Sequence, residues 1–190
     1  MSNEAKENCS KLAKEFNFFV NLVLDIRTRM TLFEAFEKYM IDKKVDPDFP
    51  KNNDFALMIE IGYSTKQLIE LRKVFDNHDE SYSFGFLIRH TTDATRAKHK
   101  KLFKKWKSNL GNIANKIFAH SEKDFDKKYI KRSEIDDFIK EVVELFEDIT
   151  NTLMEKYSNI SSSYLTAKDN DYLNEVSADV DDFFKTLQYS

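Results

Sequence analysis

Seven cations crowd twelve residues of this chain: Arg96, Lys98, Lys100, Lys101, Lys104, Lys105 and Lys107, with His99 among them. The same stretch runs on to Asn115, Lys116 and His120. Ammonium and guanidinium groups at this density can hold phosphate, and an imidazole titrating near neutrality can carry protons for chemistry on it. Apolar residues at Leu102, Trp106, Leu110, Ile113 and Ile117 recur at helical spacing. At about 100° per residue the cations therefore fan across the face away from that stripe. His120 falls at the stripe's edge, about 40° round from Lys116. Together these features suggest contact with a polyanion. A lysine-rich face is also the ordinary solvated side of a helix, and a histidine beside an apolar stripe ordinarily packs or caps. Composition alone does not separate the two readings.

Other chemistries find little support. His78, His90, His99 and His120 show neither an i, i+4 pair nor an HExxH spacing, so no metal site is expected. Cys9 is the only cysteine, which rules out an intrachain disulfide and a cysteine-based cluster. Glycine-rich phosphate loops and a serine nucleophile elbow are absent, and no cofactor is expected.

The elements that must position these residues read as helices throughout. Residues 4–41 carry Leu12, Phe16, Phe19, Val20, Val23, Met30 and Phe33 in a long helical pattern, with a break near 25–31 as one option. Both prolines lie in the loop I-D-K-K-V-D-P-D-F-P-K-N-N. A second helix over 54–76 would turn Phe55, Met58, Ile59, Leu68, Leu71 and Phe75 inward, and Gly62 offers it a kink. A short apolar helix follows at 84–89, capped by Ser81 or Ser83. The basic helix then starts at a Thr92 or Asp93 cap. Ser133, in the pattern S-E-I-D, opens the next helix as a weak capping box. That helix has an apolar face of Ile135, Ile139, Val142, Val143, Phe146, Ile149, Leu153 and Tyr157. Residues 161–190 read as a final amphipathic helix. Its acids Asp169, Asp171, Glu175, Asp179, Asp181 and Asp182 have no base between them. It either docks on the bundle or covers the basic helix electrostatically.

Three glycines and two prolines leave little material for hairpins, and 17 phenylalanines with 8 tyrosines supply a core. The expected fold is all-α: a bundle of five to six helices over residues 1–160, with the acidic helix appended. A net charge of −3 hides a strongly polarised chain, which bears on partners rather than on fold. The N-terminus lacks an apolar signal core, and Phe16–Ile26 is too short and too polar to span a bilayer. A soluble cytoplasmic protein is expected.

Asn115-Lys116-Ile117-Phe118-Ala119-His120 resembles the signature end of HEPN domains, specifically the AbiU-like group tied to abortive infection. The upstream segments L-I-E-L-R-K-V-F-D and S-Y-S-F-G-F-L-I-R are similar to that group's leucine-rich helix and its short serine-started helix. The resemblance covers about 45–188, and the HEPN-like core would occupy about 45–160. In the group's ribonucleases it implies metal-independent cleavage through the RNA 2′-hydroxyl. By that pattern His120 would be the acid/base, Asn115 would orient and Lys116 would supply charge. It also implies a homodimer and, for another branch, a modified tyrosine; here that position is Glu122. The chief departure is Ala114, which stands where the family has its phosphate-binding arginine. Alanine cannot stabilise phosphate charge, and losing such a contact costs on the order of 10²–10³ in rate. Arg89, Arg96 and Arg132 are candidate substitutes.

The leading functional expectation is thus an RNA- or nucleotide-binding module of a phage-defence or toxin-type system, with impaired or absent cleavage. Arg96, Lys100, Lys101, Lys104 and Lys105 would be its nucleic-acid contacts. One alternative is an active metal-independent ribonuclease with a substitute cation. The other is a non-catalytic module that binds a protein partner, such as one of a toxin–antitoxin pair.

Overall fold

The computed structural model describes residues 3–42, 54–76, 82, 84–112, 114, 131–157 and 178. These residues form an all-α bundle of five helices: α1 (Asn3–Asp42), α2 (Asp54–Phe75), α3 (Phe84–Ile88), α4 (Asp93–Asn109) and α5 (Arg132–Lys156). No helix among them is long and apolar enough to cross a membrane. The helix expected over 161–190 lies outside the described residues, Ala178 excepted.

The main apolar core draws on all five helices, and a smaller cluster of Phe33, Met40 and Tyr63 joins α1 to α2. Phe84 of α3 sits edge-on to Phe19 of α1 at 4.6 Å and stacks on Phe146 of α5 at 5.8 Å. Phe75 of α2 stacks on Trp106 of α4 at 5.4 Å and meets Phe138 of α5 at 5.7 Å. Aromatic pairs at such separations add directional preference to plain area burial. The α1 segment Leu12–Ile26 belongs to this core, so the packed unit begins well before residue 45.

The sequence expectations need four adjustments. α1 runs without a break, because the chain between Asp25 and Thr31 has neither glycine nor proline and is tied to α2. Gln67 donates from Nε2 to the Ile26 carbonyl at 2.9 Å, and Arg29 Nε donates to Gln67 Oε1 at 3.3 Å. α2 continues unbroken through Gly62. Met58 points outward and is 63% exposed. It lies about 100° round from Ile59, which packs with Tyr63, Phe33 and Met40. Finally, α5 starts at Arg132 with Lys131 as its cap, and no side chain closes that cap. Ser133 is an exposed residue of the first turn. Tertiary contacts of Arg132, described below, set this start in place of a local cap.

Thr92 caps α4, accepting from the Thr95 amide at 3.2 Å. Beyond Asn109 the helical hydrogen bonding persists, with Leu110 N donating to Trp106 O at 3.0 Å and Ala114 N to Leu110 O at 2.9 Å. α5 packs against α1, α2 and α4 at once. Phe138 and Leu145 therefore join the expected stripe in the interior.

Candidate nucleic-acid interface

α4 lies antiparallel to α5. Lys98 pairs with Asp148 and Lys105 with Glu141, so α5 numbers fall as α4 numbers rise. Leu102 and Trp106 anchor the inner side of α4, 5% and 6% exposed. That anchoring fixes where the cations point. Lys98 and Lys105 lean toward the acids of α5, and Lys105 also lies 5.7 Å from the centre of the Phe138 ring. Between the helices runs a groove of about 520 Å³ lined by Lys98, Lys101, Lys104, Lys105, Glu141 and Glu144, among others.

The remaining cations face solvent. Lys100, Lys101, Lys104 and Lys107 are exposed, and no carboxylate among the described residues pairs with them. Arg96 makes one surface contact within its own turn, to Asp93 at 3.1 Å, with an acid 99% exposed. An exposed pair of that kind contributes about 1 kcal/mol or less, so an incoming phosphate can displace it. Of the five expected contacts, Arg96 and Lys100 are exposed on the face away from α5, Lys101 and Lys104 are exposed at the rim of the groove, and Lys105 is held in a surface pair with Glu141.

His99 is the imidazole within the basic helix. It is half-buried in a triangle of rings with Phe103 (6.2 Å, 19° between planes) and Phe75 (6.4 Å, 25°), which are themselves 6.1 Å apart. Burial pushes its pKa below the ordinary value of 6.5, which favours the neutral ring. His90 is also held low, by burial first and then by the charges of Lys156 and Arg89. Its Nδ1 lies 3.1 Å from the Tyr157 hydroxyl.

His120, Asn115 and Lys116 lie outside the described residues. Ala114 does not: it is 1% exposed, packed among the core residues. The position that the resemblance gives to an arginine is thus apolar interior in this chain. Arg132, one of the candidate substitutes, opens α5. Its guanidinium, however, donates to Glu37 of α1 at 2.9 Å, lies 3.5 Å from Asp136 and covers the Phe33 ring at 4.9 Å.

Arg132 belongs to a second charged cluster that the sequence did not reveal. Tyr63 donates to Asp136 Oδ1 at 2.6 Å, linking α2 to α5. Burial raises the Asp136 carboxyl, against the Tyr63 hydrogen bond and the nearby Arg132 charge, which lower it. Burial also raises Glu34 and Glu60, with Asp136 adding to the effect at both. One local signal was available: Asp136 interrupts an apolar face, with Arg132 one turn before it. No group of histidine, cysteine or acidic residues among the described residues is arranged to hold a metal ion.

No family model matches this chain, and neither a curated protein nor a solved structure does.

Proposed function

We propose that this protein binds RNA or a nucleotide along the exposed face of α4, and that it cleaves RNA poorly or not at all. One observation carries the reading: Lys100, Lys101, Lys104 and Lys107 stand together in solvent, with no acid of the described residues on them. Like charges set this close repel one another unless an external anion arrives. Phosphate is the anion that rows of lysine point charges commonly serve.

Weak cleavage is favoured by the interior setting of Ala114 and by the engaged guanidinium of Arg132. Neither can bind a transferring phosphate as an arginine fork would. On this reading the chain is a HEPN-like module of a phage-defence or toxin-type system, cytoplasmic, and working as a homodimer or with a protein partner.

The test is binding of a short fluorescent RNA by the full chain, followed by incubation of the same RNA with EDTA present. Combined Lys100→Glu, Lys101→Glu and Lys104→Glu should weaken binding at least tenfold. Unchanged affinity in that variant contradicts the reading. Cleavage that disappears in His120→Ala would replace it with the ribonuclease alternative, in which His120, Asn115 and Lys116 act on the phosphate.

A further inference from the structure

We infer that the α4 face takes single-stranded nucleic acid, with an unpaired base laid against the ring ledge formed by His99 and Phe103. The inference rests on the binding proposed above and narrows its ligand.

The helix geometry puts rings and cations side by side. Taking His99 as the origin, Phe103 lies about 40° round the helix, Arg96 about 60°, Lys107 about 80° and Lys100 about 100°. The ledge therefore borders the open cationic face, on the side away from α5. Lys98 and Lys105, the two lysines held by α5 acids, are on the opposite flank. A strand whose phosphates follow Lys100, Lys104 and Lys107 would have its bases beside His99 and Phe103.

The ledge is stiff. Phe103, His99 and Phe75 form a triangle of rings 6.1–6.4 Å apart, with Phe103 tilted 44° to Phe75, and Trp106 stacks on Phe75 at 5.4 Å. Its inner end is fixed in the core, where Trp106 is 6% exposed and Phe75 6%. Its outer rings are only half-buried. A base that stacks there meets a surface already ordered, so little conformational freedom is lost on binding. Burial favours the neutral imidazole over the charged one, so the ring does not add to the cationic row.

This pairing of flat rings with a phosphate-binding row separates ligand classes. Stacking on aromatic side chains requires bases that are splayed out, whereas a duplex hides the faces of its bases. Nothing in the contact set demands a 2′-hydroxyl, so single-stranded DNA should bind as well as single-stranded RNA.

The experiment measures binding of the full chain to four twelve-nucleotide probes at one salt concentration. These are single-stranded RNA, single-stranded DNA, duplex RNA, and a strand of equal charge with abasic spacers. Both base-bearing single strands should bind tighter than the duplex and the abasic strand. Phe103→Leu keeps an apolar side chain in the half-buried position. It should weaken the base-bearing strands about tenfold, the size of one base–ring stack, and leave the abasic strand unchanged. His99→Gln provides a second variant, and quenching of a 2-aminopurine base in the strand reports stacking in the unaltered protein. Equal effects on base-bearing and abasic strands, tighter binding of duplex, or unquenched 2-aminopurine in a bound strand overturn the ledge while leaving phosphate binding standing. Failure to bind any probe overturns both.

Discussion

Two charged regions of this molecule have similar residues and opposite wiring. On the outer face of α4, Lys100, Lys101, Lys104 and Lys107 project from one helix into water. Where α1, α2 and α5 meet, Arg132 reaches Glu37 and Asp136 with its side chain only 21% exposed, and Tyr63 closes the arrangement with a 2.6 Å bond. The first region is crowded with like charge and makes no ion pair with a carboxylate among the described residues. The second ties together helices separated by as many as 95 residues of sequence. Charge density therefore reveals little about role; what matters is how many opposite charges the fold brings to each group.

That contrast can be broken most forcefully at Arg132. Arg132→Ala should destabilise the fold by about 2–3 kcal/mol, because it leaves Asp136 and Glu37 partly buried with no guanidinium. Urea unfolding measures this, and a loss below about 0.5 kcal/mol, the range of an ordinary surface site, would place the cluster with the surface pairs. Next comes Tyr63→Phe, which removes the donor to Asp136 and should cost about 1–2 kcal/mol by the same measurement. The α4 lysines should behave in the opposite way. Charge reversal at Lys100 and Lys104 should change stability by less than about 0.5 kcal/mol, and its effect should appear in binding.

A pH series sharpens the comparison. Asp136, Glu34 and Glu60 have folded pKa values above their ordinary ones, so the native state retains these protons longer than the unfolded chain. Stability from this source falls as pH rises through the window between each ordinary and folded value. Asp136→Asn keeps an acceptor for Tyr63 and should remove part of that slope. His99 and His90 act on the other side. Both are depressed, so stability is lost as pH drops below their ordinary value of 6.5. His99→Gln should flatten that limb, as followed by thermal unfolding between pH 5 and 7. The smallest effect is expected at Glu141→Gln with Asp148→Asn. These exposed partners of Lys105 and Lys98 form surface pairs that matter little to stability. Their removal should nonetheless tighten polyanion binding a few-fold, by freeing two more cations.

Features decided by local spacing were legible in the sequence. The all-α class, the Leu102–Trp106–Leu110 stripe and the Thr92 cap all rest on neighbours within a few residues. Features decided by distant partners were not. The start of α5 depends on Arg132 finding Glu37, and the outward turn of Met58 depends on which side of α2 meets Phe33 and Met40. The candidate site divides in the same way. Its cations could be read off the chain, but Lys98 and Lys105 find their acids 50 and 36 residues away, so sequence spacing could not show that they are engaged. Nor could spacing alone reveal that the Ala114 position is interior, since that depends on what the rest of the core places against it.

Salt dependence tests the account most directly. The slope of log Kd against log salt for a short single strand counts the phosphates engaged, at about 0.7 for each. Reversing Lys100 and Lys104 together should lower that slope by about 1.4. A slope equal to that of the unaltered protein would mean that the open face of α4 holds no phosphate.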